Sequence, residues 1–153
     1  MTQRLDPYKA APGSYQAMLA LEQYVRASGL EKPLLELVKV RASQINGCAY
    51  CLDMHTKDAR AHGETEQRLY AVSAWREAPF YSDRERAALE WAESVTRLGQ
   101  EGVPEALYQQ VSNHFTEQEL VNLTMAVVAI NGWNRVAMAF RSPVPGSYKV
   151  GSA

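Results

Sequence analysis

Two cysteines and a histidine are the residues of this chain best suited to do chemistry. The chain has two cysteines, Cys48 and Cys51, and His55 follows four residues after the second. On an α-helix, where successive residues turn by about 100°, all three side chains fall within one narrow stripe. A thiol at a helix start is favoured as the thiolate by unpaired backbone N–H groups and by the helix dipole. The pattern predicts a redox-active dithiol, with His55 placed to exchange a proton with Cys51.

Glu36 is a candidate partner for this group. It lies twelve residues before Cys48, among the apolar residues Leu35 and Leu37. A carboxylate in an apolar setting tends to have a raised pKa, and this would suit a proton shuttle. The helical periodicity alone slightly favours a second interpretation, in which Glu36 is an ordinary solvated side chain.

The cysteine pair is also compatible with a metal site or with a purely structural role. The pair could be half of a zinc site, with His55 as a third ligand and His62 or His114 as the fourth. The sequence has no second Cys-X-X-Cys or His-X-X-X-His to complete the usual ligand set. The two cysteines could also be buried and inert. The dithiol interpretation is favoured over both, and we expect no bound metal.

Helices are the elements predicted to position these residues. Apolar residues recur at three-to-four spacing, and no segment alternates for long enough to predict a strand. Helix starts are indicated by Ser14, by Pro33, and by Ser82 and Thr116, each with a Glu three residues later. Gly63 should end the helix that opens near Cys48. The sequence therefore predicts an all-α domain of six to seven helices.

The chain divides into one helical domain with two flanking segments. We expect an N-terminal segment over 1–14, the helical domain over 15–140, and an extended tail over 141–153, where Pro143, Pro145, Gly146 and Gly151 lie. The apolar run Leu120–Ile130 leaves little of its helix polar. Such a helix is buried on most sides, either inside one chain or against a second copy.

Composition excludes several function classes. The 153 residues suit one domain, and 16 Lys and Arg against 17 Asp and Glu leave no basic surface typical of nucleic-acid binding. No segment approaches the ~20 apolar residues of a membrane helix, and the start lacks the apolar core of a signal peptide. We therefore expect a cytoplasmic protein that binds neither nucleic acid nor membranes.

The intervals between the reactive residues carry a family resemblance. Glu36, then Cys48 and Cys51, then His55 resembles the active-site signature of the AhpD-like alkylhydroperoxidases of the carboxymuconolactone decarboxylase superfamily. The flanking segments 40–47 and 56–60 are also similar to that family, and 129–135 resembles its closing helix. The resemblance spans roughly residues 15–140. Four residues at fixed intervals are far more specific than Cys-X-X-Cys alone.

The resemblance implies a fold, an activity and partners. It implies an oligomer-forming all-α protein, from trimer to hexamer, that reduces small hydroperoxides in antioxidant defence without a cofactor. Cys51 would be the cysteine that attacks peroxide, and Cys48 the one that resolves it and meets the reductant. Glu36 and His55 would form the proton relay. In the family the reductant is a lipoylated partner protein.

One departure from the family pattern keeps other functions open. Well-known members carry a histidine immediately before the second cysteine, where this chain has Tyr50. A phenol with a pKa near 10 cannot supply a proton near neutrality as imidazole does. The alternatives are a thiol–disulfide oxidoreductase or redox sensor without peroxide turnover, and a carboxymuconolactone decarboxylase-like enzyme. The decarboxylase branch typically lacks the cysteine pair.

Overall fold

The computed structural model describes residues 2–151, and this part of the chain contains helices and no strand. The predicted all-α class is confirmed. Eight α-helices and one 3₁₀ turn, Val72–Ala74, occur in order along the described residues. The helices are α1 Pro7–Ala10, α2 Pro12–Arg26, α3 Lys32–Asn46, α4 Ala49–Ala61, α5 Glu66–Ala71, α6 Asp83–Thr96, α7 Glu105–Ser112 and α8 Glu117–Phe140.

The prediction of six to seven helices was one short because of α1. This helix has four residues, too few to show a hydrophobic period, and Pro7 begins it. The Asp6 carboxylate accepts hydrogen bonds from the backbone N–H groups of Tyr8 and Lys9, which supplies the N-cap. The predicted start of α2 at Ser14 was also wrong. The helix begins at Pro12, and the Ser14 hydroxyl donates to the Ala11 carbonyl at 2.7 Å.

Other helix ends follow their sequence signals. Both predicted capping boxes are confirmed, at Ser82 with Glu85 and at Thr116 with Glu119. Gly47 ends α3 with a φ of 72°, in the left-handed region that glycine tolerates best. Because the chain reverses at that residue, Cys48 becomes the N-cap of α4.

Helix α3 lies at the centre of the fold, where it packs against α4, α6 and α8. Its residues Leu37, Val38 and Val40 are fully buried. Helix α8 is buried at most positions between 120 and 130, but Val121 and Val128 remain 57% and 45% exposed. In the single chain α8 is therefore covered on one side and open on the other. Self-association of the chain stays a prediction.

Beyond α8, the described residues 141–151 form neither helix nor strand. They return across α4, where the buried Tyr148 hydroxyl donates to the Asp58 carboxylate at 2.7 Å and Lys57 Nζ donates to the Tyr148 carbonyl at 3.1 Å. No helix among the described residues is long and apolar enough to cross a membrane.

Candidate active site

The two cysteines lie together at the start of α4. Cys48 is the N-cap and Cys51 lies in the first turn, so the local helical geometry brings their Sγ atoms to 2.7 Å from each other. Both are reduced, and each residue is 1% exposed. Ala42 of α3 and Ile130 of α8 pack against them. The predicted dithiol is therefore present as a contacting, water-excluded pair.

The two thiols differ in acidity because they share one hydrogen bond. That bond with Cys51 lowers the pKa of Cys48 to about 7 against the opposing effect of burial, with further lowering from the Cys51 N–H, the Asn134 side chain and the Tyr50 N–H. The same bond, together with burial and the charge on Cys48, raises the pKa of Cys51. Cys48 is therefore the more acidic thiol and is about half ionised near pH 7, whereas Cys51 keeps its proton.

Glu36 and His55 form a second pair, which joins α3 to α4. Glu36 Oε2 lies 2.9 Å from His55 Nδ1, and their side chains are 16% and 7% exposed. The interpretation of Glu36 as a solvated side chain was therefore wrong. The expected raised pKa was also wrong. Burial does raise the pKa of Glu36, but the hydrogen bond and charge of His55 and the charge of Lys39 together outweigh it and hold that pKa below its ordinary value.

The fold thus brings the four predicted site residues together as two pairs. Cys51 and His55 lie one turn apart on α4, and both are buried. Among the described residues, no side-chain hydrogen bond links either sulfur to His55 or Glu36; the sulfur–sulfur bond and the Glu36–His55 bond are separate. The roles of all four residues stay predictions.

Asn134 is a site residue whose contact with the cysteines the sequence did not reveal. It is 1% exposed on α8. Its Nδ2 donates to Ser43 Oγ at 3.1 Å, and its Oδ1 accepts from Asn46 Nδ2 at 2.8 Å. These two bonds join α8 to α3. A hydrogen bond of its side chain also lowers the pKa of Cys48, and this contact depends on the packing of α8 against the start of α4.

Three aromatic rings from different helices form a cluster, and one of them, Tyr8, lies within the electrostatic range of Cys51. Tyr8 of α1 and Tyr15 of α2 have ring centroids 4.7 Å apart, and Trp133 of α8 lies 6.4 and 6.1 Å from them. Burial raises the pKa of Tyr8 to about 12, with smaller contributions from Tyr15, Tyr50 and Cys51. The surroundings of Cys51 therefore include two phenols, Tyr8 and Tyr50.

The residues proposed for a zinc site do not converge. His62 is exposed, and its Nδ1 lies 2.7 Å from the Asp58 carbonyl oxygen. Within residues 2–151, no group of three or more His, Cys, Asp or Glu side chains is arranged to hold a metal ion. The described residues therefore provide the zinc alternative with no ligand set.

Comparison with known proteins identifies relatives over most of the chain. The profile of the carboxymuconolactone decarboxylase family matches residues 12–94. The uncharacterized protein YdfG of Bacillus subtilis is 45% identical over 139 residues, which cover 91% of this chain and 95% of YdfG. The alkyl hydroperoxide reductase AhpD of Hyphomonas neptunium is 44% identical over 44 residues, 29% of this chain and 24% of that protein. The AhpD match is local.

Solved structures share the fold. A protein of unknown function from Agrobacterium tumefaciens, assigned provisionally to AhpD antioxidant defence, superposes with a TM-score of 0.88 at 45% identity. The alignment covers 92% of this chain and 97% of that one. An AhpD-core, peroxidase-related protein from Ralstonia eutropha has a TM-score of 0.77 at 23% identity, with coverage of 88% and 72%. The second similarity concerns the fold alone.

Proposed function

Because the chain belongs to the carboxymuconolactone decarboxylase family and has the AhpD-like fold, we propose that its buried dithiol is the centre of a peroxidase that reduces small alkyl hydroperoxides. The observation that carries this proposal is the 2.7 Å contact between Cys48 and Cys51. Two thiols in contact can form a disulfide with little backbone movement, and a pair in which one thiol is partly ionised near neutral pH supplies a nucleophile.

The reaction has three balanced steps. A cysteine thiolate attacks the terminal oxygen of a hydroperoxide, which breaks the O–O bond and gives a sulfenic acid and, after protonation, an alcohol. The second thiol then displaces water from the sulfenic acid and forms the disulfide. An external dithiol, which becomes oxidised to its own disulfide, restores the two thiols by exchange. Because the resolving thiol already contacts the attacking one, the sulfenic acid closes before a second peroxide overoxidises it.

We assign the attack to Cys51 and the resolving step to Cys48, as the family resemblance implies. In the resting pair Cys48 is the more acidic thiol and Cys51 is protonated, so the Cys51 proton must leave before attack. His55, one turn along α4 and bonded to Glu36, is the proposed acceptor. His55 can then return a proton to the alkoxide that leaves.

The surroundings favour particular partners for these steps. Each cysteine is 1% exposed, which favours small uncharged substrates over large or charged ones. The external reductant is proposed to be a dithiol of the lipoyl type, presented by a partner protein to Cys48 at the helix start. Trimers or hexamers in a cytoplasmic setting complete the proposal, and neither metal nor cofactor is required for it.

The test is peroxide-dependent disulfide formation in the reduced protein. We expect one disulfide per cumene hydroperoxide consumed, formed much faster than by free cysteine. Cys48→Ser should accumulate a sulfenic acid that dimedone traps, and Cys51→Ser should not. The exposed His62→Gln is the matched control and should behave as the wild type.

Four results would overturn parts of the proposal in different ways. Disulfide formation no faster than in free cysteine removes the peroxidase activity. Rapid exchange with small disulfides but not with peroxides would instead indicate a thiol–disulfide oxidoreductase. Decarboxylation of a muconolactone that persists in Cys48→Ser/Cys51→Ser would make the dithiol incidental. Sulfenic acid trapped in Cys51→Ser rather than in Cys48→Ser would reverse the two cysteine roles.

A further inference from the structure

A second buried ion pair lies beside the Glu36–His55 pair. Lys39 Nζ of α3 contacts Glu22 Oε1 of α2 at 2.6 Å, and these residues are 4% and 7% exposed. The exposed Arg26 side chain reaches the same Glu22 oxygen at 3.4 Å. Burial of two charges carries a desolvation penalty that a buried ion pair often fails to recover, so this pair is a poor source of stability. Its location suggests another use.

Lys39 and Glu36 are neighbours on α3. They are three residues apart, a spacing that places helical side chains on one face with Cβ atoms about 5–6 Å apart. Glu36 also contacts His55 of α4. Charges of alternating sign therefore run from Glu22 to Lys39 to Glu36, and Glu36 is in turn bonded to His55, so that the series joins three helices. None of these residues except His55 lies on the cysteine-bearing helix.

The acidities of the two carboxyl groups support this coupling. Burial raises the pKa of Glu36, whereas His55 and then Lys39 lower it and Glu22 raises it. For Glu22, burial again opposes ionisation, and Lys39, Arg26 and His55 lower its pKa. Tyr148, from the C-terminal residues, also lies within the electrostatic range of Glu36. Lys39 is the buried cation that acts on both carboxylates.

We propose that Lys39, anchored by Glu22, is a positioning residue that keeps Glu36 ionised and thereby keeps the Glu36–His55 hydrogen bond charge-assisted. An ionised Glu36 accepts from His55 Nδ1–H, which fixes the tautomer and leaves Nε2 free to take a proton. This inference rests on the proposed function only in one respect, namely that the Glu36–His55 pair serves as a proton relay. The electrostatic coupling itself does not require peroxide turnover.

The experiment is a titration of the Glu36 carboxyl carbon by ¹³C NMR in protein labelled at the glutamate side chains. Glu36→Gln, which lacks this signal, assigns it. In Lys39→Met, which keeps the apolar stem and loses the charge, we expect the titration midpoint of Glu36 to rise by about one pH unit. In Glu22→Gln the midpoint should fall, because a neighbouring anion is lost. The double variant should lie between the two.

Controls separate electrostatics from packing. Lys32→Met removes an exposed lysine one turn before Glu36 on the same helix, and it should shift the midpoint several-fold less because water screens that charge. Lys39→Arg should restore the wild-type midpoint. If Lys39→Met does not fold because Glu22 is left unpaired, the comparison of Glu22→Gln with the double variant isolates the same charge.

Opposite shifts in the two single variants support the proposal, whatever their thermal stabilities. If both single variants lose stability while the Glu36 midpoint stays fixed, or if both move it in the same direction, Lys39 is a structural residue and the inference fails. The titration needs no peroxide. A protein without peroxidase activity that still shows opposite shifts would overturn the proposed function and keep the coupling.

Discussion

The low pKa of Cys48 should depend on a hydrogen bond that one substitution can remove. Its largest cause is the bond shared with Cys51, 2.7 Å away. Cys51→Ala removes that partner, whereas Cys51→Ser retains an O–H that can donate to the Cys48 thiolate. The two variants have similar size and both lack the second thiol. A difference between them therefore reports the hydrogen bond.

The structure sets the expected magnitude. Cys48 has a pKa of about 7, against 9.0 for an unperturbed thiol. Backbone N–H groups and Asn134 still favour the Cys48 thiolate in Cys51→Ala, so the pKa of Cys48 in that variant should rise only to about 8–9. One to two units correspond to about 1.4–2.7 kcal/mol of lost thiolate stabilisation. The thiolate fraction at pH 7 should then fall about 5- to 50-fold relative to wild type.

The assay is a pH titration of thiolate ultraviolet absorbance, which needs no reagent to reach a sulfur that is 1% exposed. The Cys51→Ser midpoint should stay closer to wild type than the Cys51→Ala midpoint, and Cys48→Ser should show no transition near pH 7. The reasoning is refuted if Cys51→Ala keeps a midpoint at about 7, because the helix start would then be sufficient by itself.

Two further predictions concern buried polar groups. Against opposing burial, hydrogen bonds from Trp75, Arg76 and Arg41 lower the pKa of Glu93 to about 2. A lowered folded-state pKa contributes stability that is present above about pH 4.5 and is lost as the pH falls towards 2. In urea unfolding at pH 7, the free energy of unfolding of Glu93→Gln should therefore be lower than that of the wild type by about 3 kcal/mol. The stability of Glu93→Gln should also depend less on acid pH. Equal acid sensitivity in both proteins would contradict this. Asn134→Ala leaves the buried Ser43 hydroxyl without its partner, so the free energy of unfolding should fall by about 1–3 kcal/mol. The titration midpoint of the Cys48 thiolate should rise in the same variant, and an unchanged midpoint would limit Asn134 to a packing role.

Local features of the fold were predictable because their causes are local. A capping box needs two residues three positions apart, and both predicted boxes form, at Ser82 and Thr116. Gly47 and Cys48 likewise set the start of α4 through the left-handed turn and the N-cap. The four-residue α1 was missed since a single turn has no period to detect.

The two pairs of the candidate site also differ in whether the sequence alone could predict them. Cys48 and Cys51 meet because a Cys-X-X-Cys at a helix start places both thiols on one face of one helix, and this follows from the sequence alone. Glu36 and His55 meet only because α3 packs against α4. Periodicity assigns a residue to a helix face but does not say which side chain lies opposite. The direction predicted for the Glu36 pKa was wrong for that reason.

The sequence by itself thus determined an all-α chain with two thiols in register at a helix start, because hydrogen bonds and side-chain spacing within a helix are local. Tertiary structure alone decided the charge states around them. Whether Glu36 is ionised depends on His55 and Lys39, and Lys39 is held by an ion pair with Glu22 from another helix. For Glu36 the hydrogen bond from His55 and the charges of His55 and Lys39 outweigh the effect of burial on the pKa, and only packing brings those partners together.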